Sequence, residues 1–548
     1  MTARPNYKSI LELTETYAGQ ALRVQVLEET DPEYGGFRCP EKLVCEPWAV
    51  ANILSTLTQL YVNSDSQYHY KQDFLNRMEL ATKFLLRSQH QDGTVSGYFC
   101  EPTISLPNTA VSMLALLRTY KWLIKDSTIN NDIVNQIKSF LNKSVSGLQN
   151  ETILKNHHQF IIAEAFLEYD RLFDDPGVKR EASSYIRDGI EISYDGLYPD
   201  RSPASNMIVN SAILNFAERL GQLDLLDFVR RNLNFLLYTF RSNGEVATEF
   251  ADGTSENGLP SGYAVWKKMS IVDQNGLYAT AGDLTLRTYL SRFDNGIIRP
   301  HLNHPNPNFH IGNNSRLFAT SSIGQILETE LELNNDWINR LPMDNQYEKF
   351  YQKSNVAFIR FDKTSTTIMG NQNNFFSLHN GSIALDSISI SSVYQGFHHI
   401  SVTGLAIDRN TYLMESETIQ CVFRPKSKKR EVVALNLRIF IEIDRIQDGF
   451  ELNFTTEGWD GIPLIIEFGL RKVGTLFVGD HKWDLSKTDA VFLSEESAVI
   501  ENNTDQIKIE GGGKTVHKIF QTKSNNRVAR LFLTPMTPYE GLIRITTQ

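Results

Sequence analysis

Cysteine is scarce: Cys39, Cys45, Cys100 and Cys421 are the only four in 548 residues, too few to staple a fold with disulfides. Their spacing makes no zinc site, and no other residue set suggests a cofactor, although a structural divalent metal in the C-terminal half is left open. Long apolar runs are also missing. No stretch approaches the roughly 18 uncharged apolar residues of a membrane-spanning helix, so no membrane association is expected. The start, Met1-Thr-Ala-Arg-Pro-Asn-Tyr-Lys-Ser, lacks the apolar core of an export signal. It implies a cytoplasmic chain, or a periplasmic or secreted one if a leader has been removed. Positive charge is in deficit, with 54 basic against 64 acidic side chains and a net charge of −10. A surface given over to nucleic acid is thereby excluded, while a local basic groove is not.

What is present is ordinary globular composition, 41% hydrophobic and 22% charged, in a chain too long for one core. From residue 7 to about 292 the apolar residues recur at helical spacing in long segments: 7–29, 47–63, 69–89, 106–125, 130–145, 157–173, 177–192, 206–220, 222–241 and 277–292. Between alternate segments lie loops rich in Gly, aromatics and charge, such as Glu33-Tyr34-Gly35-Gly36-Phe37-Arg38, Gln91-Asp92-Gly93, Tyr194-Asp195-Gly196 and Glu249-Phe250-Ala251-Asp252-Gly253. Their recurrence predicts stacked αα-hairpins closing into an (α/α) toroid, residues 1–293, with these loops gathered at one end. Residues 294–317 carry Pro, Asn and Gly without periodicity and read as a linker. From 318 to 548 short alternating runs such as Val356-Ala-Phe-Ile-Arg360 and Leu464-Ile-Ile-Glu-Phe468 predict an antiparallel β-sandwich. The fold class is thus α+β and multidomain. Nothing in the sequence specifies an oligomeric state.

Chemistry concentrates at Asn156-His157-His158, where an amide and two imidazoles open a helix whose stripe is Ile162, Phe166, Tyr169 and Phe173. Asn156 suits an N-cap, and the free N–H groups there favour a carboxylate. Arg38 and Arg201 are candidate cations for an acidic sugar. Trp48, Tyr98 and Trp266 are candidate stacking platforms. His158 and His399 are further candidate substrate contacts.

Asn156-His157-His158 with Ile162-Ala163-Glu164-Ala165, Asp195-Gly196 through Asp200-Arg201-Ser202-Pro203, and Phe376-Ser377-Leu378-His379 with Asp386 resemble segments of the heparinase II/III-like polysaccharide lyases. The resemblance implies β-elimination at a uronate within an acidic poly- or oligosaccharide. Asn156 and His157 would neutralise the carboxylate, and His379 or a tyrosine would serve as base and acid. Where the family's acidic-Arg-Ser loop runs on to a catalytic tyrosine, this chain has Ala204-Ser205-Asn206. The role then falls to Tyr198, Tyr263 or Tyr394. The pattern after the second histidine is also changed, to Asn380-Gly381-Ser382. Two alternatives stay open: a glycoside hydrolase using Asp92, Asp195, Asp200, Glu249 or Asp252, and a glycan-binding protein without catalysis.

Overall fold

The structure is a computed structural model that describes residues 7–40, 42–125, 131–149, 157–187, 189–251, 262–291, 316–333, 337–393, 398–416, 420–423, 431–434, 437–513 and 528–548. Its helices are α1 (Tyr7–Arg23), α2 (Pro47–Val62), α3 (Gln72–Ser88), α4 (Leu106–Leu123), α5 (Asn131–Gln149), α6 (His157–Phe173), α7 (Pro176–Arg187), α8 (Pro203–Leu220), α9 (Leu226–Leu236), α10 (Tyr263–Val272), α11 (Gly276–Ser291) and α12 (Arg316–Glu332). The even-numbered helices pack in succession, α2 on α4, then α6, α8, α10 and α12, and α12 returns to α2. The toroid is therefore closed. The odd-numbered helices form its outer layer, and the described outer-to-inner connections lie at the same end.

Two inner helices depart from the sequence reading. α10 is short and buried almost all round, so no stripe marks it. α12 occupies residues assigned to the end of the linker and the start of the sandwich, yet it packs on α1 and α2 and completes the ring. The helical domain thus runs to Glu332, and the first sandwich strand begins at Gln346.

The Gly-rich loops are a repeated device. Those at Gly35, Gly93 and Gly196 make a tight turn that seats the glycine on an outer helix. A Cβ on Gly93 (φ +93°) would lie 1.9 Å from the Lys143 carbonyl oxygen, and one on Gly196 (φ +95°) 2.4 Å from that of Arg231. Only glycine fits such an approach at such a φ. A side-chain amide then donates to the turn carbonyl in three of them: Gln25 to Gly35 (3.0 Å), Gln89 to Gly93 (3.0 Å) and Asn232 to Gly196 (2.9 Å).

Among the described residues the C-terminal domain has two large sheets. One runs Gln346–Tyr351, Val356–Phe361, Thr364–Met369, Asn374–Asn380, Ile383–Ser392, Leu464–Arg471, Val528–Leu533, Ala490–Phe492, with His398–Ile400 on Ile383–Ser392. Its last pairing, Ala490–Phe492 on Val528–Leu533, is parallel. The other runs from His481–Asp484 to Val402–Asp408. Alternate residues of both sheets, among them Ile359, Leu378, Ile441 and Leu452, fill the space between them. The strand Val356–Phe361 also faces outward: Phe358 joins Phe235, Phe250 and Tyr351 in an aromatic cluster continuous with the helical core. No described helix is long and apolar enough to cross a membrane.

Candidate active site at the loop end of the toroid

Because the inner helices all begin at the loop end, their N-termini present unpaired N–H groups and partial positive charge there. The starts of α2, α4 and α8 are regular, with Pro at N1 or N2, and Ser105 and Ser202 cap α4 and α8. The sandwich docks on the same end. Asp195 accepts from the Ser354 backbone N–H at 2.8 Å, Arg201 donates to the Ser354 carbonyl at 2.6 Å, and Ser377 donates to Glu249 at 2.6 Å. A crevice of about 240 Å³ remains between the α7–α8 loop and the Gln346–Phe361 hairpin turn.

α6 opens at His157 as expected, while Asn156 and Tyr394 lie outside the described residues. His158 is half-buried on the first turn of α6. Trp48 is half-buried on the first turn of α2 and Tyr98 is half-buried on a neighbouring loop, the two segments joined where the Phe99 N–H bonds the Cys45 carbonyl at 2.9 Å. Lys42, which the sequence did not single out, sits 5.1 Å over the Tyr98 ring and 2.9 Å from Glu46.

Several candidates are committed elsewhere. Tyr198 is buried, and its hydroxyl donates to Asn210 at 2.9 Å, within a ladder that continues through Asn232 to Asn206. Tyr263 is likewise buried; its hydroxyl donates to Glu330 at 2.5 Å, beside Lys267. Burial raises both phenols, so neither is poised as a base. Trp266 is 1% exposed between Phe240 and Tyr278, a core residue instead of a platform. Arg38 is held by Glu33 at 2.6 Å and Asp31 at 2.7 Å, so it clamps its own loop. His399 is exposed on a sandwich strand, paired with Ser391.

His379 lies in the domain interface, 3% exposed. It shares a polar stripe with Ser365 and Ser377, which face the Arg241–Glu249 loop. Its Nε2 is 3.6 Å from Asp386 and its Nδ1 has no hydrogen-bond partner among the described residues. Burial, then Arg241 and Arg471, hold it well below the usual imidazole range, so it is neutral. Around it Arg471 bonds Asp386 (3.0 Å) and Glu245 (3.1 Å), and Arg241 bonds Glu249 (2.6 Å). Among the described residues His379 is thus enclosed, which weighs against the reading of it as a free base.

The loop carboxylates a hydrolase would need are also engaged. Asp92 accepts from the Thr94 N–H (2.9 Å) and hydroxyl (2.7 Å), and the backbone bond chiefly lowers it. Asp200 accepts from the Ser202 N–H at 3.0 Å. Burial would raise Glu249, but Arg241 and hydrogen bonds from Ser377 and Thr367 overcome it and hold the group at about 2. Asp252 lies outside the described residues. Deeper down, Glu164 on α6 accepts from Ser211 and Asn215, and burial pushes it up to about 7. Among the described residues no group of three or more His, Cys, Asp or Glu is placed to hold a metal ion.

A closed helical toroid carrying an antiparallel sandwich on its loop end is the fold of polysaccharide lyases, and solved structures of that class match this chain along its length. Heparinase III superposes with a TM-score of 0.61 over 98% of this chain and 85% of that one, at 10% identity. The Streptomyces coelicolor A3 chondroitin AC lyase in complex with chondroitin sulphate gives 0.55 over 100% and 80%, at 11% identity. A Paenibacillus xanthan lyase gives 0.57 over 100% and 56%, at 10% identity. No protein-family model and no curated protein matches the sequence. What is shared at such identity is the fold.

Proposed function

We propose that this chain is a polysaccharide lyase that cleaves an acidic, uronate-containing glycan by β-elimination. The observation that carries the reading is where α6 starts: its first residue, His157, stands at the end of the toroid where the inner helices present their N-termini and the sandwich docks. Elimination removes the C5 proton of a uronate and breaks the bond from C4 to its oxygen, leaving a C4–C5 double bond. The adjacent carboxylate opposes loss of that proton until its charge is neutralised. Asn156 and His157 take that role, supported by the helix N-terminus. Tyr394 is the proton-transfer group in this reading, since Tyr198 and Tyr263 are bonded inside the helical domain. The engagement of Asp92, Asp195, Asp200 and Glu249 weighs against hydrolysis through them.

The test is ultraviolet absorbance during incubation with heparan sulfate, chondroitin, hyaluronan, alginate and glucuronate-bearing polysaccharides. A rise with one of them, lost in Asn156→Ala and in Tyr394→Phe, is the expected result. His379→Asn is expected to keep turnover within about fivefold while lowering Tm, because its place is in the interface. New reducing ends without absorbance would sink the lyase reading.

A further inference from the structure

We propose that the crevice between the α7–α8 loop and the Gln346–Phe361 hairpin turn is a subsite for one acidic sugar residue, its sulfate or carboxylate held by Arg201 and Lys353; this rests on the glycan reading above. The crevice has a volume of about 240 Å³, below the roughly 300–1,000 Å³ typical of sites for drug-sized ligands, so it suits one ring and not an oligosaccharide. Ile192, Leu197 and Pro199 supply an apolar floor of the kind a sugar face packs on. Arg201 and Lys353 line it from opposite domains, against the single carboxylate of Glu191.

Two observations mark it as a ligand site. Ser354, in the crevice wall, is 6% exposed, its backbone is clamped by Asp195 and Arg201, and its buried hydroxyl has no hydrogen-bond partner among the described residues. A buried hydroxyl left so is costly, and a ligand oxygen would satisfy it. Lys353 is exposed and makes no hydrogen bond or ion pair among the described residues, so its ammonium is available to an anion. The site exists only where the two domains meet, which places it beside the toroid's loop end.

The experiment compares the full-length protein with Lys353→Glu and Ser354→Ala, and with Lys487→Glu as a charge control far along the chain on an exposed residue. Binding of uronate oligosaccharides, sulfated and unsulfated, is read by calorimetry, and turnover by absorbance where a substrate is found. Lys353→Glu is expected to weaken binding at least tenfold, to raise KM more than it lowers kcat, and to flatten the salt dependence; Ser354→Ala should weaken it about threefold. A larger loss for sulfated than for unsulfated ligands names sulfate as the group held; an equal loss names the carboxylate. If no glycan is eliminated but oligosaccharides bind and Lys353→Glu weakens that binding, the subsite stands while the lyase reading fails. Binding that Lys353→Glu leaves unchanged, or no binding by the wild-type protein, overturns the subsite.

Discussion

Glu249 shows at the scale of a residue how the interface chooses charge states. Burial would favour its acid form, but Arg241 at 2.6 Å and hydroxyl donors hold it ionised, at about 2. Its folded value lies below the unfolded one, so its contribution is fully present above about pH 4.5 and is lost as pH falls through about 2. It amounts to about 3 kcal/mol at neutral pH. Glu249→Gln should cost about 3–5 kcal/mol at pH 7, because it leaves Arg241 buried without its main partner. Urea unfolding at pH 7 and pH 3 checks this: the deficit should shrink at the lower pH, and an equal deficit at both would refute the ionic account. None of this was legible beforehand. Arg241 and Glu249 share one loop, but Asp386 and Arg471 come from strands far along the chain, and nothing local marks them as neighbours of that loop.

The inner helices were legible where a long apolar run coincides with a start signal. α2, α4 and α6 each have a periodic apolar face and a start signal, and the helices expected at 47–63, 106–125 and 157–173 are found at Pro47–Val62, Leu106–Leu123 and His157–Phe173. α1 ends at Arg23, short of the expected 29, because Gln25 turns into a bridge with Phe37. α10, ten residues long with no side-chain cap at Gly262, and α12, whose apolar residues follow no helical period, escaped notice. The Gly-turn repeat was visible, but its purpose was not: the turns seat against outer helices, Asp92 accepts from its own turn, and Asp195 reaches across to Ser354 of the sandwich. Gly196→Ala should therefore destabilise the helical domain by at least about 2 kcal/mol, through positive φ and the clash with the Arg231 carbonyl together. A change below 0.5 kcal/mol in chemical unfolding would show that the turn yields freely.

At the scale of the whole molecule, the toroid and the sandwich share an aromatic cluster in which Phe358 meets Phe235, Phe250 and Tyr351. Such a joint couples the two domains, so calorimetry of the wild-type protein should show one unfolding transition. Phe358→Ala, expected to cost about 3–5 kcal/mol, should split it into two; a single transition in the variant would place the coupling in the ionic network instead. The sequence by itself determined the two-domain order, the helical repeat, the strand-rich second half and the helix start at His157, since periodicity and turn chemistry act between near neighbours in the chain. Only the tertiary structure decided that Tyr198, Tyr263, Trp266 and His379 are enclosed, that Arg38 is spoken for, and that Arg201 meets Lys353 and Ser354 across the domains. Exposure and partnership are set by what packs on a residue from distant parts of the chain, and no spacing within one segment records that.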